Sequence, residues 1–207
     1  MYIIQTTFLY RSLPVSKMAG PGDGIKCATG TTQDIIMITI RHKCTGDALL
    51  DIGAETMAGL LLPNAQLAGA NLQGVDLNAA DLHAANLKDA LLAGADLSFA
   101  DLTGTVLCRA DLSRASLITA DLGMANLTET TLIEANLAGA NLYGAILRNA
   151  LMQGCDLTGA DLQDSDLKGA DLKGAVYDRE TRWPAGFSPQ SRGAILNADA
   201  CRHCSEN

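Results

Sequence analysis

From Leu67 to Leu172 a leucine stands at every fifth position, interrupted only by Met152, and a small residue stands two places before each one. Polar residues fill most of the positions between. The recurring unit is Ala-(Asp/Asn)-Leu-x-x, as in Ala80-Asp81-Leu82, Ala85-Asn86-Leu87 and Ala140-Asn141-Leu142. Self-similarity at a fixed period marks a repeat architecture, here of about 22 tandem units.

A period of five suits neither standard element. On an α-helix five residues turn about 500°, so successive leucines would step round by about 140° and define no face. On one flat strand an odd spacing throws alternate leucines onto opposite sides. Within a unit, however, Ala and Leu are two residues apart and share one side of a short extended segment. If the chain turns in the same sense after each unit, every Ala and Leu points inward. The residue between them and the two after Leu then point outward. Four such sides close a square coil of about 20 residues, and successive coils stack at roughly 4.8 Å. The expected molecule is all-β, a quadrilateral parallel β-helix of about five and a half coils and on the order of 26 Å in length.

The substitutions agree with this register. Where Ala is replaced at the inner small position, the residue is Val75, Thr105, Thr130, Cys155 or Ser165, and no charge falls on an inner position. Glycine is the commonest second residue after Leu, as at Gly94, Gly139 and Gly159, where a turning backbone gains from its freedom. At about 2 kcal/mol per buried leucine before entropy is subtracted, the stacked leucines supply a core with few aromatics.

With this motif at this copy number, the run from Ala65 to Ala175 resembles the pentapeptide-repeat family. The resemblance implies a right-handed coil; periodicity alone gives only a closed four-sided one. The stretch Ala175–Phe187, containing Tyr177, Trp183 and Phe187, looks like the tail that follows many bacterial arrays of this kind.

The ends read less clearly. Residues 1–33 are expected to be a disordered or misassigned extension. Met1–Gly22 carries Arg11 and Lys17 and no acid, as a transit peptide would, but it has no signal-type hydrophobic core, and Met37 would make a sensible start. Residues 34–62 read as a β-hairpin: Ile36, Ile38 and Ile40 alternate, Thr45-Gly46-Asp47 turns, and Ala48–Ile52 returns. It is expected to cap the first coil, since an open solenoid end exposes unpaired strand edge. The repeat array is placed at 63–176, and 177–207 is read as an irregular C-terminal cap and tail.

Charge and cysteine content narrow the function classes. A net charge of −8 argues against nucleic acid or an anionic membrane as a direct partner, and no apolar run reaches membrane-spanning length. The six cysteines (Cys27, Cys44, Cys108, Cys155, Cys201 and Cys204) are scattered, and Cys155 takes an inner position as a small hydrophobe. A disulfide framework is not expected, and a reducing cytoplasm fits.

Catalytic and metal chemistry find little support. The three histidines, His42, His83 and His203, belong to no recognisable nucleophile or ligand motif. An interior full of Leu and Ala leaves no pocket. Cys201-Arg202-His203-Cys204 has metal-type spacing but lacks partners for a four-ligand site. The aspartates before Leu do not form a calcium repeat, because Ser116, Thr131, Val106 and Leu151 take the same position freely. No enzyme activity, cofactor or metal is expected.

Taking every fourth unit separates the outward faces. One side stacks Asp81, Asp101, Asp121, Asn141 and Asp161, a carboxylate column whose repulsion would raise some pKa values unless backbone hydrogen bonds offset it. The next carries Lys88, Arg109, Arg148 and Lys168 among Asp89 and Glu129. The third shows Leu91 and Leu151 with Ile133 close by. The chain therefore reads as a non-catalytic structural rod that presents faces to an unknown protein partner, with Leu91, Ile133 and Leu151 as contact points. The alternative comes from the resemblance: fluoroquinolone-resistance relatives imitate duplex DNA and occupy type II topoisomerases. The acidic column is compatible with that, but this array lacks their inserted loops and shows no evident C-terminal dimerisation helix.

Overall fold

The computed structural model of the protein describes residues 5–8, 36–53 and 56–198. Through the repeat region each side of the coil is a short extended segment that bridges in parallel to the segment 20 residues on. One column runs Asp81, Asp101, Asp121, Asn141, Asp161. The ladder is regular: Leu102 N–H donates to Asp121 O (2.7 Å), and Asp121 N–H donates to Ala100 O (2.9 Å). No α-helix occurs among the described residues, in keeping with a β-helical array.

Two local devices turn the corners, the second only where Asp or Asn precedes the leucine. The inner small residue donates back to the leucine three places earlier, as Ala125 N–H does to Leu122 O (3.0 Å). The second residue after each leucine has a left-handed φ at 24 successive positions from Gly59 to Gly174, the type II arrangement. Thirteen of these are not glycine, so the turn is imposed by the stack and not by glycine alone. The second device is the Asp or Asn before Leu. Its side-chain oxygen accepts the amide two residues on, as from Asn78 to Asp76 (3.0 Å), Ala138 to Asn136 (3.0 Å) and Gln163 to Asp161 (3.0 Å). This is an Asx-turn, and it explains the preference for Asp or Asn over other polar residues there.

The interior is a stack of Leu and Ala, with every leucine of the five-residue series from Leu72 to Leu162 at or below 1% exposure. Inner hydroxyls bond to carbonyls: Thr105 Oγ1 to Leu102 O (2.7 Å), Thr130 Oγ1 to Leu107 O (2.8 Å) and Ser165 Oγ to Leu162 O (2.7 Å). Cys155 is fully buried, and burial pushes its thiol up to about 12, so it packs as an inert small residue.

At the N-terminal end, β2 (Ile36–Arg41) and β3 (Ala48–Gly53) form an antiparallel pair with a bulge between Ile40 and Arg41. Ile38 and Ile40 join the core. The pair docks on the first coil through Asn71 N–H to Arg41 O (2.9 Å) and Lys43 N–H to Gly69 O (2.8 Å). The His42 ring lies so close over Gly69 that a Cβ there would meet Nε2 at 2.3 Å. Residues 1–33 do not stand wholly outside the fold: β1 (Gln5–Phe8) pairs antiparallel with β2, Gln5 opposite Thr39. The rest of that extension lies outside the described residues. The inner column also begins earlier than 63, since Met57 is buried at the leucine position and Gly59 already has a left-handed φ of 67.

At the other end the chain from 177 is not simply irregular. Val176 and Tyr177 form β4, which pairs in parallel with β5 (Ile195–Leu196), while Asp161 bridges to Arg182. The spacings of 19 and 21 residues replace 20, so the coil continues with shifted register. Tyr177 and Trp183 meet edge-on at 5.5 Å between ring centroids, and Trp183 stacks on Phe187 at 5.3 Å. These rings cover the last leucines where the Leu-Ala supply ends.

Candidate interaction surface

The coil places the Asp81 column as the spacing predicted, one residue per coil in parallel register. Its carboxylates are not bare. Asp81 Oδ1 accepts the His83 amide (3.1 Å) and lies 2.7 Å from His83 Nδ1. Asp101 and Asp121 accept the amides of Thr103 and Gly123, each at 2.9 Å. Asn141 Nδ2 donates to Asp121 Oδ1 (2.9 Å), and Arg182 Nη1 reaches Asp161 Oδ2 (3.4 Å). The backbone hydrogen bond from His83, then its ring, holds the Asp81 carboxyl below the usual range. On the side before it in chain order, Ser98 lowers Asp96 in the same way, through its hydroxyl and its amide.

The mixed side is largely self-paired. Arg109 grips Asp89 with two bonds of 2.9 Å, and Arg148 pairs with Asp166, and both acids are held below the usual range chiefly by those guanidinium hydrogen bonds. On the third side Leu151 is 39% exposed, whereas Leu91 and Ile133 are half-buried. Arg114 pairs with Glu134 (2.7 Å) beside a shallow open depression that Ile133, Gln73 and Ala93 help to line.

Larger apolar groups flank the acidic column. Phe99 is 64% exposed on its entering corner, and Met124 is 60% and Tyr143 42% exposed on its leaving corner. Met124 lies over Gly144, where a Cβ would stand 2.6 Å from its Sδ. A hydrogen bond to the Asp164 carboxylate raises the Tyr143 hydroxyl above its usual range. These residues occupy outward positions of the five-residue register, so the signal for them is present in the sequence. A search confined to the position before Leu passes over them.

The structure also brings together three groups that spacing alone does not suggest. Asp81, His83 and Asp101 come from two coils, and one ligand atom of each lies within 4.8 Å of the other two. Cys27, Cys201, His203 and Cys204 lie outside the described residues.

No curated protein sequence matches the chain. Among solved structures, alr5209, a pentapeptide repeat protein from Nostoc PCC 7120, is 33% identical over 46% of this chain and 84% of its own, with a TM-score of 0.27. HetL, a pentapeptide repeat protein involved in heterocyst differentiation regulation in Nostoc sp. strain PCC 7120, is 26% identical over 69% and 87%, with a TM-score of 0.24. QnrB1, a plasmid-mediated fluoroquinolone resistance protein, is 18% identical over 68% and 85%, with a TM-score of 0.26. The family model for pentapeptide repeats matches eight copies across residues 61–176, more than half of the chain. With the five-residue register, the repeated Asx corner and the parallel 20-residue coil all present, the chain belongs to the pentapeptide repeat family.

Proposed function

We propose that the protein is a non-catalytic, right-handed rod of about five and a half coils that binds a protein partner in the cytoplasm through the Asp81 side and its apolar flanks. The observation that carries this reading is the exposure of Phe99, Met124 and Tyr143 beside stacked carboxylates. Large apolar groups next to charge are the composition of recognition surfaces, and the acidic column selects a basic partner face. The filled interior supports the non-catalytic part of the reading, and buried Cys155 suits a reducing compartment. The N-terminal strand pair in turn serves as a cap, since it covers the first coil's edge.

The test is affinity capture from native lysate with the full chain and two variants. A partner that binds the wild type and the Leu91→Asp/Leu151→Asp variant, but not Phe99→Asp/Met124→Asp/Tyr143→Asp, supports the proposed face. Retention by the triple variant, or loss through the Leu91/Leu151 pair, places the contact elsewhere. A second reading, mimicry of duplex DNA against a type II topoisomerase, is favoured by the stacking of Asp81, Asp101 and Asp121. His83, Asn141 and Arg182 dilute that charge. Unchanged gyrase supercoiling at excess protein ends it.

A further inference from the structure

We infer that Asp81, His83 and Asp101 form a surface site for a divalent transition-metal ion. Asp81 and His83 flank Leu82 and so project outward together, while Asp101 enters the site from the next coil through its parallel bridge to Asp81. One ligand atom of each lies within 4.8 Å of the other two. Zinc takes imidazole nitrogen and carboxylate oxygen at about 2.0–2.2 Å, so small side-chain rotations bring the three donors onto one ion.

The surroundings prepare the site. The amides of His83 and Thr103 hold Oδ1 of Asp81 (3.1 Å) and of Asp101 (2.9 Å), which fixes both carboxylates. Four acids of the array carry an arginine: Asp89 has Arg109, Glu134 has Arg114, Asp161 has Arg182 and Asp166 has Arg148. Among the described residues the one basic side chain bonded to the Asp81–Asp101 pair is the His83 imidazole, 2.7 Å from Asp81 Oδ1. A dication neutralises both and replaces the His83–Asp81 hydrogen bond with a nitrogen ligand. One nitrogen and two oxygens select zinc, nickel, copper or cobalt over calcium and magnesium, with water completing the coordination.

The probe is Zn²⁺, titrated calorimetrically into the full chain carrying Cys201→Ser and Cys204→Ser, which removes the terminal thiolates. Co²⁺ perturbation of the histidine ring resonances serves as a second readout. The expected result is one equivalent bound at micromolar concentration, with the His83 resonance broadened and those of His42 and His203 unchanged. His83→Ala and Asp101→Asn, each shown to be folded by far-UV dichroism, weaken binding by about tenfold or more. Unchanged affinity in either variant, no binding up to millimolar Zn²⁺, or equal competition by Ca²⁺ overturns the assignment.

Discussion

Thr119 holds a β-branched side chain at a φ of 53, a conformation that costs an L-residue about 1–2 kcal/mol. Its Cγ2 would lie 3.2 Å from a Cβ at Gly139 one coil on, so these two corners are matched as large beside small. Glycine at 119 removes the strain and gives back about 0.5–1 kcal/mol through the looser unfolded chain. Thr119→Gly is expected to raise the urea midpoint, with a net gain of about 0.5–1 kcal/mol. A lower midpoint would show that the Thr119 methyl contributes more through packing than its backbone loses. At this scale the alternation of inward and outward residues is legible from the chain, because two-residue spacing fixes it. The Asx-turn at Asp76 or Asn136 is not, since it needs the direction of the corner that follows. For the same reason a bare carboxylate ladder is the natural reading of Asp81, Asp101 and Asp121 until their amide donors are placed.

The end elements depart most from what the sequence pattern shows, and each departure has a local cause. Thr181-Arg182-Trp183 repeats the small-x-large inner pattern one residue late, because Asp178–Glu180 makes the corner one residue longer. Thr181 Oγ1 then takes the inner place and donates to Leu157 O (2.9 Å). Asp178 closes that corner by accepting the amides of Gly159 (2.9 Å), Glu180 (3.0 Å) and Thr181 (3.0 Å). Burial pushes its carboxyl pKa up, but these donors outweigh burial and hold it below the usual aspartate value of 3.8. A folded pKa below the unfolded one gives stability that is present above 3.8 and is lost as pH falls through the lowered value. Trp183, the single tryptophan, sits beside this corner and reports on it. Its fluorescence is expected to change on acidification below 3.8 before the far-UV spectrum does, and Asp178→Asn is expected to flatten that early change. An early change that persists in the variant would assign it to another carboxylate. Met57 was recoverable in principle, five before Leu62 with Gly59 at the turn position, but Glu55-Thr56-Met57 lacks the Ala-Asp-Leu signature.

Among the described residues each coil within the array bonds to the coils 20 residues before and after it, so stability is a sum of coil terms and contacts between neighbours. The five-residue period makes this architecture and the Asp81–Asp101 stacking legible, while His83 escapes the grouping because it lies outside the position before Leu that the column follows. In such a stack the place of a lesion decides its reach. Leu122 is fully buried in the middle of the array, and Leu172 lies near its C-terminal end. Leu122→Ala removes contacts to both neighbouring coils and is expected to cost about 2–5 kcal/mol, while Leu122→Lys also buries a charge and is expected to prevent folding. In hydrogen exchange read by mass spectrometry, Leu122→Ala should lower protection most over residues 102–142, with a smaller loss toward both ends. Leu172→Ala should lower protection only beyond about residue 152, because a frayed last coil leaves the remaining stack intact. A uniform loss of protection along the array in both variants would show that the coils melt as one cooperative unit. The nearest-neighbour description would then give way to a rod whose ends feel a change anywhere along it.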